Sequence, residues 1–168
     1  EEGVAIWTLD AFTKPHPTFK PELATIVEDP KTGKIVSSTM LFPQTWTYAG
    51  IPFGVGRPEL VATHPDYRRQ GLVRIQMETL HQWSASLGHR MQVIDGIPWF
   101  YRQFGYEMAL NRGWGQHMLA QNIPALKKGE KEAFHFRSPT NADIPFLSEF
   151  YNQGKITDLI FCERNEPM

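Results

Sequence analysis

The feature that most constrains this chain is a double change of hydrophobic period between residues 59 and 95. Glu59-Leu-Val-Ala-Thr63 is a short, mostly apolar run that reads as a buried strand, and it stops at His64-Pro65 because Pro65 cannot donate to a ladder. After Asp66-Tyr67-Arg68-Arg69-Gln70-Gly71, the residues Val73, Met77, Leu80, Ser84 and Leu87 recur at spacings of four and three, which predicts a helix with one buried stripe. Gly88 stands where a helix C-cap belongs, and Met91-Gln-Val-Ile-Asp95 reads as the next strand. Strand, tight turn, helix, strand is the grammar of a parallel βαβ pair.

The flanks add antiparallel structure. Glu22–Glu28 and Ile35–Phe42 are rich in strand formers, and Asp29-Pro-Lys-Thr-Gly33 between them supplies a tight connection, so a β-hairpin is expected. Its second arm is expected to continue through Trp46-Thr-Tyr48 as an edge or bent strand, with Pro43 interrupting the ladder. Gly50, Gly54 and Gly56, with Pro52 and Pro58, predict a turn-rich passage. Residues 1–21, carrying Pro15, Pro17 and Pro21, read as a lead-in with at most one short helical turn. Downstream, Gly96 and Pro98 open a short aromatic helix over Trp99–Phe104, closed by Gly105, and Tyr106–Leu119 is strand-like in places. The charged run from Lys127 to Glu132 reads as a linker or exposed turn. The chain then restarts, with a short strand at Phe134-His-Phe136 and a helix from near Asp143 that places Ile144, Leu147, Phe150 and Tyr151 on one face.

With 168 residues the chain can bury one substantial core. A formal charge of −1 argues against a nucleic-acid partner held by a large phosphate-neutralising surface, without forbidding a small basic pocket. Cys162 is the single cysteine, so there is no intramolecular disulfide and no thiolate metal cluster; a cytoplasmic setting and no metal are expected. No stretch has the length and apolarity of a membrane-spanning helix, so no membrane partner is expected.

The chemistry concentrates in Val61–Arg74. A strand end meets a glycine-containing helix start beside two consecutive arginines. A helix N-terminus offers unpaired N–H groups and partial positive charge, Gly71 lets a ligand approach the backbone, and Arg68 and Arg69 add full charges. That combination suits a pyrophosphate. A plain pair of solvated arginines before a helix is the competing reading, weakened by the strand–helix junction and by the aromatic segment that follows.

At this point the sequence resembles the GNAT N-acetyltransferases. Arg68-Arg69-Gln70-Gly71-Leu72-Val73 resembles the superfamily's Gln/Arg-x-x-Gly-x-Gly/Ala motif, departing from it at Val73, and Phe100-Tyr-Arg-Gln-Phe-Gly-Tyr106 resembles its Tyr-x-x-x-Gly-Phe segment. Pro65-Asp-Tyr-Arg-Arg-Gln-Gly-Leu-Val-Arg74 is most similar to the Eis-like (enhanced intracellular survival) acetyltransferases. The resemblance implies an α/β (α+β) fold: a mixed, largely antiparallel sheet with a splayed parallel strand pair and flanking helices. It implies acetyl-CoA as co-substrate, with Val61, Ala62 and Thr63 pairing with the pantetheine arm and the backbone from Arg69 through Gln70, Gly71 and Leu72 to Val73 holding the pyrophosphate. Tyr101 becomes the general acid for the leaving thiolate, although packing among Trp99, Phe100 and Phe104 also accounts for a tyrosine there.

The base stays open between Glu59, His64 and Asp95. The expected function is N-acetylation of a primary amine on a small molecule or peptide, with Trp46, Tyr48, Trp99 and Phe104 available to line an acceptor pocket. The other reading is a non-catalytic acyl-CoA-binding sensor domain, and a homo-oligomer is compatible with either. Residues 1–130 are expected to form the GNAT domain, which is short of its usual opening elements. Residues 131–168 are then either the start of a second GNAT-like repeat in a longer tandem protein or a C-terminal extension.

Overall fold

The computed structural model describes residues 2–110, 119–122, 125–127, 129–131, 134–135 and 137–164. Helix α1 (Glu2–Thr13) leads into a hairpin of β1 (Ala24–Asp29) and β2 (Lys34–Tyr48); β3 (Ile51–Thr63), α2 (Leu72–Ser86), β4 (Met91–Gln92) and α3 (Pro98–Tyr101) follow, and α4 (Ile144–Thr157) and β5 (Ile160–Cys162) close the described chain. The sheet order is β1-β2-β3-β4, antiparallel except for the parallel β3–β4 pair, and β5 adds to β2 antiparallel at Trp46–Tyr48. This is a mixed, largely antiparallel sheet with one parallel pair and flanking helices, as expected.

Alternation along β2 builds two apolar layers, because successive side chains of a strand point to opposite faces. Met40 and Phe42 cluster with Ala11 of α1, Phe19 and Leu60, and Phe19 stacks on Phe42 at 4.6 Å between ring centroids. Leu41 belongs to the other face, close to Ser84 of α2, where Met77 and Leu80 are fully buried.

Several local expectations need correction. The opening segment is a twelve-residue helix rather than one turn, since its prolines all follow Thr13 and leave the helix interior free of breakers. Pro43 does not interrupt β2: it faces Gly56 in register, in the stretch between the β1 and β5 pairings, where that edge of β2 has no ladder to break. The passage expected to be turn-rich is strand, because β3 runs unbroken from Ile51 and the turn is confined to Ala49 and Gly50, both at positive φ. Leu87 is half exposed at the end of α2, and the buried positions are Gln76, Met77, Leu80 and Ser84.

Several other expectations hold, although the strand expected over Met91–Asp95 is confined to Met91 and Gln92. Gly88 is left-handed (φ 77°) just past α2. The aromatic helix runs as α3 and a 3₁₀ turn to Phe104 and stops at left-handed Gly105. Thr140 and Asp143 form a capping box before α4, although Ile144, Leu147 and Phe150 on it stay largely exposed. Residues 106–110, 119 and 134–135 are not in strands; the remainder of the strand expectations at 106–119 and at Phe136, and Lys128 and Glu132 of the charged run, lie outside the described residues.

Candidate active site

The β3–β4 pair opens soon after it forms. Its ladder covers Val55–Met91 and Gly56–Gln92, and one more bond follows, from Val93 N to Gly56 O (3.0 Å). Beyond that point the edge of β3 from Arg57 to Thr63 has no strand partner on this side among the described residues. The other edge is distorted at the same level. Met40 faces Glu59 and Ser38 faces Ala62, so Thr39 opposes both Leu60 and Val61, and buried Leu60 takes a left-handed φ of 55°. This is a β-bulge, which re-aims the backbone groups of the bulged strand. Hydroxyls of β2 reach the carbonyls beside the bulge: Thr39 Oγ1 donates to Glu59 O (3.3 Å), and Ser38 Oγ makes a long contact with Leu60 O (3.5 Å). Ser37 Oγ lies 2.8 Å from Ala62 O, 2.9 Å from Thr63 Oγ1 and 2.6 Å from Gln76 Oε1 of α2.

A cleft of about 1040 Å³ runs along this open edge to the start of α2. Val61, Ala62, Thr63, Arg68, Arg69, Gly71, Leu72, Val73 and Tyr101 line it; of the residues singled out from the sequence for the cofactor, Gln70 alone does not. Ile75 N donates to Gly71 O (3.2 Å), so the N–H groups of Leu72, Val73 and Arg74 precede the first helical bond and have no partner among the described residues. Arg69 (φ 62°) and Gly71 (φ 77°) turn the backbone on either side of Gln70, and a Cβ on Gly71 would meet no atom within 4 Å. Free donors, open space and the guanidinium groups of Arg68 and Arg69 fit a pyrophosphate. The free edge of β3 fits an amide-bearing arm laid beside it.

Tyr101 also lines a second cleft, of about 1520 Å³, whose walls include Trp46, Arg57, Asp95 and Phe104. Tyr48 and Trp99 line neither cleft, and Trp99 is 74% exposed. The Tyr101 ring lies against Gly96, where a Cβ would come within 3.2 Å of it. Burial raises the Tyr101 pKa, and the negative charge of Glu59 raises it further. Its hydroxyl has no hydrogen-bond partner among the described residues, whereas Tyr106 OH donates to Gln92 Oε1 (2.5 Å) and lies 3.2 Å from His81 Nε2.

The three candidate bases separate. His64 is exposed, accepts from Asp66 N (3.4 Å) as the cap of a 3₁₀ turn, and lines the first cleft. Asp95 lines the second. Glu59 is 13% exposed and pairs with the Arg57 guanidinium, although its buried Oε1 has no aligned hydrogen bond. Burial pushes the Glu59 carboxyl up, Arg57 pulls it back, and Asp95 adds to the rise.

Sequence reasoning missed Arg57 and the Ser37–Gln76 contact. The run Ser37-Ser38-Thr39 inside an apolar strand is the signal that could have exposed the bulge, because buried hydroxyls need partners. Among the described residues no group of three or more His, Cys, Asp or Glu side chains is placed to hold a metal ion, and no helix is long and apolar enough to cross a membrane.

The chain is similar to several known acetyltransferases. Among solved structures, an acetyltransferase from Trypanosoma brucei is 28% identical, with a TM-score of 0.48 over 56% of this chain and 68% of that one. Glucosamine-6-phosphate N-acetyltransferase from Arabidopsis thaliana is 18% identical (TM-score 0.46; 60% and 69% covered). A predicted acetyltransferase with acetyl-CoA from Clostridium acetobutylicum is 14% identical (TM-score 0.46; 61% and 69%). No curated protein matches the sequence. The family model of the acetyltransferase (GNAT) domain matches residues 11–109, more than half of the chain; that part carries the whole lining of the first cleft, while the second is also walled by Tyr151 and by residues 157–162. The chain belongs to the GNAT acetyltransferase family, whose members are acetyl-CoA-dependent N-acyltransferases.

Proposed function

We propose that this domain transfers the acetyl group of acetyl-CoA to a primary amine that enters through the second cleft. The observation that carries the reading is the position of Tyr101, the predicted acid, on the walls of both clefts. In this reading the backbone of Val61–Thr63 orients the pantetheine arm, and the N–H groups at the start of α2, with Arg68 and Arg69, hold the pyrophosphate. Acetyl-CoA supplies the activated acyl group. Glu59 takes a proton from the incoming ammonium, for which a carboxyl raised above its ordinary value is suited; Glu59 is not among the lining residues of either cleft, and Asp95, whose charge acts on it, lines the acceptor cleft. Tyr101 then gives its hydroxyl proton to the departing sulfur. His64, on the donor side, serves as a turn cap.

Within the family, the run Pro65–Arg74 supports placing the chain with the Eis-like acetyltransferases. We read residues 1–130 as the catalytic domain. The β5–β2 pairing and the buried Phe161 support reading 131–168 as an extension of it rather than a separate repeat.

Calorimetric titration with acetyl-CoA and, separately, with CoA tests the donor site. Micromolar binding that falls at least about tenfold in Gly71→Asp, which puts a carboxylate into the open space at the helix start, supports the reading. Absence of binding by the folded wild type overturns it. A screen of primary amines for CoA release then tests the acceptor class.

A further inference from the structure

The Arg68–Gly71 loop contains two left-handed positions, and one of them, Arg69 at φ 62°, is not glycine. Such a conformation persists where surrounding structure fixes it. Most bonds that touch the loop are local. Asp66 N donates to His64 Nδ1 (3.4 Å), Tyr67 N to His64 O (2.9 Å), Arg68 N to Pro65 O (3.3 Å), Arg68 Nε to Thr63 O (3.4 Å), and Ile75 N to Gly71 O (3.2 Å). These stay within residues 63–75 and can move with the loop. The ends of the segment are held elsewhere, with His64 N donating to Val36 O (2.8 Å), Thr63 Oγ1 lying 2.9 Å from Ser37 Oγ and Arg74 Nη2 donating to Gln103 Oε1 (3.2 Å). Between those ends, among the described residues, the hydrogen bond that ties residues 65–71 to another element is made by Tyr67, whose hydroxyl donates to Asp29 Oδ2 at 2.6 Å.

Asp29 is a firm anchor. It ends β1, its carbonyl accepts from Thr32 N (3.2 Å) and Gly33 N (2.8 Å), and its carboxylate accepts from Lys31 N (2.9 Å) and Thr32 Oγ1 (3.0 Å). The tip of the β1–β2 hairpin is therefore closed on the same carboxylate that holds Tyr67. The Tyr67 hydroxyl is the largest cause keeping the Asp29 carboxyl below its ordinary range, which agrees with the short distance.

We infer that the Asp29–Tyr67 hydrogen bond is a brace that preorganises the Arg68–Gly71 loop for the pyrophosphate of acetyl-CoA, which makes Tyr67 and Asp29 positioning residues. The inference rests on the reading of this loop as the pyrophosphate site. Apparent affinity falls by the fraction of molecules in the binding-competent state, so a loop released from its anchor binds more weakly without losing any ligand contact. A hydrogen bond to a charged acceptor at an exposed site corresponds to a loss of about three- to tenfold.

The test is calorimetric titration of the full chain with acetyl-CoA, comparing wild type, Tyr67→Phe and Asp29→Asn well below their unfolding temperatures, with amide hydrogen exchange across residues 64–75. Tyr67→Phe is expected to bind about three- to tenfold more weakly and to exchange faster at the loop amides when free. Saturating acetyl-CoA is expected to restore wild-type protection. Asp29→Asn keeps the turn and an acceptor without the charge, and is expected to fall between the two. Affinity for Tyr67→Phe within about twofold of wild type, with or without a loss of thermal stability, overturns the brace and leaves the donor site standing. Wild type that does not bind acetyl-CoA overturns the donor site and the brace together.

Discussion

Two half-buried phenols face the βαβ opening, and their partners decide which can move a proton. Tyr106 is tied to Gln92 and His81, and burial holds its pKa far above the ordinary value. Tyr101, on the walls of both clefts, has a hydroxyl with no hydrogen-bond partner among the described residues. Tyr101→Phe is therefore expected to bind acetyl-CoA as wild type does while kcat drops about a hundredfold or more, measured by CoA release with a saturating amine. Equal loss in Tyr106→Phe and none in Tyr101→Phe exchanges the roles. Glu59 yields a pH prediction. Activity that requires its ionised form rises with pH through its raised pKa, and Arg57 is the charge that keeps that pKa from rising further. Arg57→Met is expected to move the acid limb of kcat/KM to higher pH, and an unmoved limb removes Glu59 from the mechanism. The arginines, Gly71 and Tyr101, which we propose as site residues, could be picked out in sequence by their spacing, and they line one cleft. Glu59 was named among the candidate bases, whereas its partner Arg57 was missed, although residues two apart on a strand share a face.

At the scale of elements, glycine and proline misled where packing sets their role. Gly54 and Gly56 suggest turns, yet both lie inside β3. A Cβ on Gly56 would stand 2.5 Å from Ser84 Oγ, 2.9 Å from His89 Nδ1 and 3.1 Å from Leu41 Cδ1. The missing side chain lets α2 and the loop after it sit directly on the strand where β4 joins, a close approach that no local pattern reveals. Gly56→Ala is accordingly expected to destabilise the protein by about 1–3 kcal/mol in urea unfolding, as overpacking of a filled interior does. A cost near zero shows that Ser84 and His89 can move aside. The βαβ order, the hairpin and the caps at Gly88 and Gly105 were readable because each is fixed by a few neighbouring residues. The length of α1 was not, since its residues cover a core assembled from Phe19, Met40, Phe42 and Leu60.

The whole molecule depends on contacts between distant parts of the chain. Gln76 Nε2 donates to Thr25 Oγ1 (3.0 Å) while its Oε1 lies 2.6 Å from Ser37 Oγ, so one buried amide joins α2 to β1 and β2. That cluster fixes the start of α2 against the free edge of β3, the two walls of the donor cleft. The C-terminal segment attaches at the opposite end of β2. Its β5 pairs with Trp46–Tyr48, Ala49 N donates to Leu159 O (2.8 Å), and Phe161 is 7% exposed with its ring 4.9 Å from that of Tyr151. If this segment is an extension of the domain, its anchor stabilises the whole. Phe161→Ala should then lower a single cooperative unfolding transition by about 3 kcal/mol, with acetyl-CoA affinity unchanged because both donor walls lie elsewhere. Circular dichroism and tryptophan fluorescence should report the same midpoint. If residues 131–168 instead begin a separate repeat, the variant leaves the main transition in place and loosens only the segment. Amide hydrogen exchange then rises across residues 159–162 while the main midpoint stays at its wild-type value.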